Sequence, residues 1–398
     1  MPHRSPSRIG IDARLVRYRR GIGNFVFHLL ESLAESDTPH RFVLYVDRRE
    51  ALAKLPKDPR FTSRVIGPPV YPIWEQVSLP RAARRDRLDL LYCPANAAPL
   101  LLPRETRLVI TIHDLMYLLP QRMLPRSPSM YQRAGRFYLR HVVPLVARRA
   151  SYVTTVSECS KTDIVKWLGY EADRIAVLRE APGDAFRPMN DADADALLQR
   201  LGVARPFALA LGAVDPRKNT RRIISAFTRM VRDGGVEGQL VISGLSPSAA
   251  EQFREYAQSL DIASRVVLLG FVAEAELLAL YTRAWVLLYP SLYEGFGMPV
   301  LEAMACGTPV VGSVTGAIPE IAGNNALLVE PTDEAAIAAA ARRLWVDPKL
   351  RQRLRDDGLA RAASFSWPRV TSELLDVFER TLSPHLESAH SVPRGVRQ

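Results

Sequence analysis

The stretch SLYEGFGMPVLEAMACGTPVV, residues 291–311, sets two carboxylates, Glu294 and Glu302, eight positions apart around a Gly-Phe-Gly loop and a proline. A strand-like run, WVLLYPS, precedes it, and Pro299 suits the start of a helix, where its missing N–H costs no hydrogen bond. The amides of Phe296, Gly297 and Met298 lie in the loop and first turn, where free N–H groups and the helix dipole attract an anion. Glu302 falls about one turn into the helix, and helical side chains lean back toward the N-terminus. Both carboxylates can then face one crevice at the carboxyl ends of the strands. Hydroxyls donate to carboxylates and phosphate oxygens accept from N–H groups, so the string suits a ligand carrying both. A nucleotide sugar has that makeup.

Three further stretches carry chemistry of a compatible kind. LGAVDPRKNTRRIISAF (211–227) runs from a strand through Gly212 to Arg217 and Lys218, then into a helix. Adjacent cations there can clamp a diphosphate and stabilise it as a leaving group. A solvated basic turn is the competing reading, since Arg221 and Arg222 follow. GIDARLVRYRRGIGN (10–24) leads from a strand to Gly21 and Gly23 and then a helix. The glycines stand too far from the strand for a dinucleotide fingerprint, but such a loop can bring backbone to a phosphate across a cleft. VITIHDLMYLLP (109–120) ends a buried strand on His113 and Asp114. That pair can hydrogen-bond a sugar, with Asp114 fixing the imidazole tautomer if geometry permits. An isolated histidine is more often structural.

The elements that must position these residues alternate short β-branched runs with longer amphipathic stretches, the pattern of parallel α/β layers. RIGIDA, RFVLYV, LDLLYCP, RLVITIHD and SYVTTVS read as strands of a first unit. FALALGA, GQLVISG, RVVLLGF, WVLLYPS, TPVVGS and ALLVEP read as strands of a second. A chain of 398 residues exceeds one small core, which also favours two domains. The expected division is a first Rossmann-like domain over 1–188, a linker over 189–205 and a second domain, which carries the nucleotide-sugar string, over 206–364. A helix over 365–382 and a frayed tail over 383–398 follow. QRMLPRSPSM (121–130) reads as a mobile loop, and the DADAD run at 191–195 as a solvated helix start rather than a metal cluster.

Residues 1–190 hold 31 basic and 18 acidic side chains, an excess of +13, whereas the rest of the chain carries −2. Nothing in the basic half resembles a nucleic-acid reading motif. Attraction to anionic lipid or to a diphosphate substrate is one account. An arginine-rich composition is the other, since only six of the 53 basic residues are lysine. Cys93, Cys159 and Cys306 lack metal-ligand spacing, no apolar run reaches membrane-spanning length, and MPHRSPSRIG lacks a secretory core. A cytoplasmic protein without structural zinc is expected.

GIDAR, GIGN, the WEQ at 74–76, TIHD, TVSECSKTDI, GAVDPRKN and the E-x7-E string occur in an order that resembles the family 4 retaining glycosyltransferases. The resemblance is to the mannosyltransferase-like group of bacterial polysaccharide synthesis and covers roughly residues 8–380. It implies a GT-B fold: two Rossmann-like domains facing across a cleft, with the last helix crossing back to the first. It implies that Glu302 holds the donor ribose and that Glu294 contacts the transferred sugar, with the amides of Phe296, Gly297 and Met298 alongside. Lys218 matches the diphosphate-binding lysine and His113 the strand-end histidine near the reacting carbon. Gly21 and Gly23 match the loop that closes over the diphosphate. Many members carry arginine after the strand-end glycine, but Ala213 follows Gly212 here, so Arg217 is the candidate replacement. The implied reaction needs no metal or cofactor beyond the nucleotide sugar. Its acceptor is a glycan or a polyprenyl-diphosphate-linked hydroxyl at the inner membrane face, and its donor, by subgroup analogy, GDP-mannose. An NDP-sugar 2-epimerase and a degenerate sugar-nucleotide-binding protein are the alternatives.

Overall fold

The computed structural model describes residues 6–119, 130–233 and 236–383. The loop expected at 121–130 and the tail expected at 383–398 lie, apart from Met130 and Ser383, outside these residues. The first sheet contains β1 (Arg8–Asp12), β2 (Arg41–Val46), β3 (Phe61–Val65), β4 (Leu90–Cys93), β5 (Arg107–Thr111), β6 (Tyr152–Thr155) and β7 (Ile175–Val177). The second contains β8 (Phe207–Leu211), β9 (Gln239–Ser243), β10 (Val266–Leu268), β11 (Val286–Tyr289), β12 (Val310–Ser313) and β13 (Leu327–Val329). Every pairing is parallel. Helices cover both faces, so the central strands are apolar on both sides, as parallel sheets require. The sequence reading found eleven of these strands and missed the edge strands β3 and β7. FTSRV is half exposed and IAV is very short, so neither carries the apolar run that marked the others.

Strand order fixes where a ligand can sit. The first sheet runs β3-β2-β1-β4-β5-β6-β7 and the second β10-β9-β8-β11-β12-β13. The direction of winding reverses between β1 and β4 and again between β8 and β11. At such a reversal the loops leaving the two strands diverge and open a crevice at their carboxyl ends. Asp12 and Pro94 leave the first crevice's strands; Gly212 and Pro290 leave the second's.

The last helix, Trp367–Leu382, returns to the first domain and packs on the helix Ile22–Glu35. Val370, Leu374, Val377 and Phe378 form its buried face, each contributing about 1.5–3 kcal/mol by leaving water. The Trp367 indole donates to the Pro182 carbonyl at 3.2 Å and Thr371 Oγ1 to Ser32 Oγ at 2.9 Å. Within 189–205 the chain forms a helix, Asp191–Arg200, capped by Asn190, whose Oδ1 accepts from the Ala192 amide at 2.9 Å. Its Asp191 and Asp195, read from sequence as solvated, both pair with Arg283 of the second domain. Among the described residues no helix is long and apolar enough to cross a membrane, and no group of three or more His, Cys, Asp or Glu side chains could hold a metal ion.

Candidate active site

The second-domain site is assembled from the loops after β8 and β11. Asp215 caps a short turn, Pro216–Lys218, by accepting from the Arg217 amide at 3.0 Å. Asn219 then adopts left-handed backbone, φ 60°, which asparagine tolerates better than most residues. Its buried side chain donates to the Pro290 and Pro331 carbonyls at 2.9 and 2.6 Å, and the Leu292 amide donates to the Arg217 carbonyl at 2.8 Å. The PRKN loop is thereby stitched to the loop leaving β11, and Lys218 is delivered to Glu294.

Lys218 Nζ lies 2.8 Å from Glu294 Oε1 and donates to Tyr289 OH at 2.6 Å; Tyr289 OH in turn donates to the same Glu294 oxygen at 2.9 Å. Burial works against the ammonium, but Tyr289 and Glu294 outweigh it and hold the Lys218 pKa above the ordinary lysine value. Arg217 is paired with Asp215, and its Nη1 lies 3.3 Å from Met116 Sδ of the first domain. The two cations expected to meet a diphosphate are thus each held by a carboxylate of their own domain.

Helix Met298–Ala305 begins after Gly297, whose φ of 105° only glycine adopts readily and whose missing side chain leaves room for Ile318. Phe296 is buried and meets the Phe365 ring edge-on, so the loop between the glutamates is anchored in apolar packing. Glu302 sits in the first turns of this helix, where Oε2 accepts from Tyr281 OH at 3.0 Å. Burial pushes its pKa up to about 7, against the Tyr281 hydrogen bond and the nearby Lys218 charge, which favour the carboxylate. Both glutamates therefore have a buried tyrosine donor on one oxygen.

On the opposite wall the outcome differs from the sequence reading. The His113 ring is buried, with Nδ1 3.2 Å from Glu180 Oε1, Nε2 3.1 Å from the Pro94 carbonyl and Phe25 edge-on at 4.8 Å. Both ring nitrogens are thus engaged inside the first domain. Asp114 does not orient the ring: its Oδ1 accepts from the Met116 amide at 3.0 Å, and Glu180, 67 residues downstream of His113, takes the orienting position. Burial raises the Asp114 pKa, while the nearby Arg217 and His113 counter it.

The glycines divide by role. Gly21 starts helix Ile22–Glu35 at φ 50° with open space where a side chain would be. A Cβ on Gly23 would lie 1.8 Å from the Tyr18 carbonyl, so Gly23 serves the fold of the turn. Gly212 likewise makes room for Ile242 and Leu245. WEQ ties the first-domain wall together. Gln76 donates to the Ala98 carbonyl at 3.2 Å and accepts from the Leu100 amide at 2.9 Å, which steadies the loop bearing Pro94 and Asn96. Burial pushes Glu75 up to about 7, with Tyr138 and Gln76 donating to its Oε1. Tyr289, Tyr281 and Glu180 escaped the sequence reading, whereas Gly295 stood in its Gly-Phe-Gly loop without a role of its own. Only Tyr289, at a strand's carboxyl end, carried a positional signal.

Comparison with known proteins agrees with this geometry. Residues 19–180 match the model of Glycosyltransferase Family 4 and residues 199–361 that of Glycosyl transferases group 1. O-antigen chain mannosyltransferase B of Escherichia coli is 30% identical over 299 residues, which cover 75% of this chain and 76% of that one. The serotype-specific mannosyltransferase WbdA of Escherichia coli is 26% identical over 285 residues; the match covers 70% of this chain but only 34% of WbdA. Anabaena Alr3699/HepE, solved in complex with UDP and glucose, superimposes with a TM-score of 0.71 at 19% identity, covering 94% of this chain and 99% of that one. That likeness reflects the shared two-domain GT-B fold. With matching family models on both domains and a 30% identical relative spanned over three quarters of its length, the chain belongs to the family 4 glycosyltransferases.

Proposed function

We propose that this glycosyltransferase moves mannose from GDP-mannose, with retention at the anomeric carbon, to a hydroxyl of a lipid-diphosphate-linked glycan during surface polysaccharide synthesis. The observation that carries this reading is the convergence of Lys218, Arg217, Glu294 and Glu302 at one sheet edge, around a helix start between the two glutamates. The choice of mannose is supported by the relatives named mannosyltransferases in O-antigen synthesis.

In this reading Glu302 accepts from the ribose hydroxyls through the oxygen that Tyr281 leaves open, and Glu294 accepts from hydroxyls of the sugar. Lys218 and Arg217 exchange their carboxylate partners for phosphate oxygens as the donor enters. The acceptor hydroxyl attacks the anomeric carbon on the face from which the diphosphate departs. The carbon–oxygen bond to phosphate breaks, and the acceptor proton passes to a phosphate oxygen of the leaving group. Two cations and the helix amides stabilise the charge that develops, so the proposed reaction uses no metal. The buried His113 ring shapes the wall beside the sugar, with Glu180 and Pro94 holding it.

Membrane association is supported by helix Met130–Arg149, which contains five arginines and no acidic residue. Met130, Phe137 and Leu145 are exposed on it, Phe137 at 69%, beside Arg133, Arg140 and Arg148. Apolar and cationic groups on one face suit an anionic bilayer surface. A thermal-shift screen of GDP-mannose, UDP-sugars and dTDP-sugars, followed by NMR of the product anomer with and without EDTA, tests the reading. Stabilisation by GDP-mannose, a product of retained configuration and EDTA-resistant transfer are expected. A shift with UDP-sugars alone would reject the donor, and an inverted product would reject the mechanism.

A further inference from the structure

The loop that carries Glu294 is held from both sides of the cleft. On its own side, the Ala317 amide donates to the Glu294 carbonyl at 3.1 Å, and Gly316 lies too close to the Glu294 backbone to bear a side chain. From the first domain, Ser157 Oγ donates to the Gly295 carbonyl at 2.6 Å and Ser160 Oγ reaches the same oxygen at 3.0 Å. Ser160 Oγ is also 2.9 Å from the His113 carbonyl. Both serines are buried. Further contacts flank the loop: Tyr293 OH donates to Asp163 Oδ2 at 2.8 Å, and Glu320 accepts from the Glu158 amide and from Arg179 at 2.8 and 2.9 Å.

Gly295 explains itself only across the cleft. It is not among the residues with left-handed backbone, so its own conformation does not demand glycine. A Cβ there would lie 2.7 Å from the His113 carbonyl and 2.8 Å from Asp114 Cβ. The missing side chain lets the loop reach the first domain.

We propose that Ser157 and Ser160 are positioning residues: their hydroxyls grip the Gly295 carbonyl only when the domains are closed, and so couple closure to the placement of Glu294. In an open molecule the Gly295 carbonyl faces water, Ser160 Oγ keeps the His113 carbonyl of its own domain as acceptor, and the loop is held from one side alone. Closure replaces the water with the Ser157 donor and with the Ser160 proton shared between the His113 and Gly295 carbonyls, so the sugar-contacting carboxylate is set at the moment the cleft excludes water. The inference rests on the reading of Glu294 as the sugar contact.

The test uses the full chain, with small-angle scattering in the absence and presence of GDP-mannose, donor Kd by calorimetry, and steady-state transfer. Gly295→Ala is expected to keep the larger radius of gyration under both conditions. Its kcat should fall about 100-fold, the scale of a misplacement near 1 Å, while donor Kd stays within about three-fold. Ser160→Ala keeps the backbone amide that Ser157 Oγ accepts from at 3.0 Å to cap helix Glu158–Leu168, and should lower kcat about five- to ten-fold, the weight of one hydrogen bond, at unchanged donor Kd. Ser157→Thr, which keeps a hydroxyl, should behave as wild type. A Gly295→Ala protein that compacts and turns over normally would overturn the proposal. So would a Ser160→Ala protein with a lower Tm but wild-type kcat. Glu294→Ala separates the two readings: unchanged transfer there, with compaction still lost in Gly295→Ala, removes the sugar-contact role and leaves the serine grip as a closure device.

Discussion

Tyr281→Phe isolates a single hydrogen bond at Glu302, the glutamate proposed to hold the donor ribose. Tyr281 is fully buried, its hydroxyl donates to Glu302 Oε2 at 3.0 Å, and phenylalanine fills the same space. Burial already holds Glu302 at about 7, with the tyrosine opposing that rise. A hydrogen bond to a carboxylate is worth about 1.4 kcal/mol more than one to the neutral acid, and 1.36 kcal/mol is one pKa unit. Removing it should move the midpoint up by about one unit. A carboxylate accepts from ribose hydroxyls better than its protonated form, so donor affinity should rise with pH through about 7 in the wild type. In the variant the same rise should come about one unit higher. At pH 7 the ionised fraction drops from about one half to about one tenth, a loss of about five-fold in donor affinity that raising the pH restores. Calorimetric titration with GDP-mannose between pH 5.5 and 9 reads this directly, because both phosphates of a nucleotide sugar are diesters and do not titrate in that window. A pH-independent Kd in the wild type, or coincident profiles for the two proteins, would refute the reasoning.

Lys218→Ala leaves Glu294 without its cation; because a quarter of the lysine side chain is exposed, the expected stability loss is about 2–3 kcal/mol rather than that of a fully buried pair. Its kcat should fall about 100- to 1,000-fold, and transfer within about ten-fold of wild type would argue against Lys218 as the leaving-group partner. Arg283→Ala frees Asp191 and Asp195 and should cost about 1 kcal/mol in urea unfolding with kcat nearly unchanged, since Asp191 is largely exposed and Asp195 half-exposed; a large kcat effect would assign the linker helix a part in catalysis. Phe137→Ser should weaken binding to anionic vesicles about five-fold and leave donor Kd untouched, whereas equal binding by both proteins would remove this helix from the membrane face.

Most of the architecture was legible because buried parallel strands are near-continuous apolar runs, and eleven such runs stood out between amphipathic stretches. The edge strands β3 and β7 were not, since an edge needs less burial and Phe61–Val65 and Ile175–Val177 carry little of it. Local chemistry was equally readable. Strand, loop and helix start occur in series around Glu294 and Glu302, and PRKN follows a strand, so each motif's place at a sheet edge follows from its own neighbourhood in the chain.

Partnership was a different matter. Asp114 stands next to His113 in sequence, yet Glu180 holds the ring; Lys218 spans 76 residues to Glu294, and Ser157 spans 138 to Gly295. Periodicity reports that a face is buried or that a loop leaves a strand's carboxyl end. It carries no information on which buried group a given carboxylate, imidazole or carbonyl will meet, because that depends on strand order and on how two separate sheets come together. The sequence by itself determined the layers, the sheet edges and the types of group placed there. Only the tertiary structure decided that both glutamates share their oxygens with buried tyrosines, that His113 is satisfied within its own domain, and that the Gly295 carbonyl meets Ser157 and Ser160 from across the cleft.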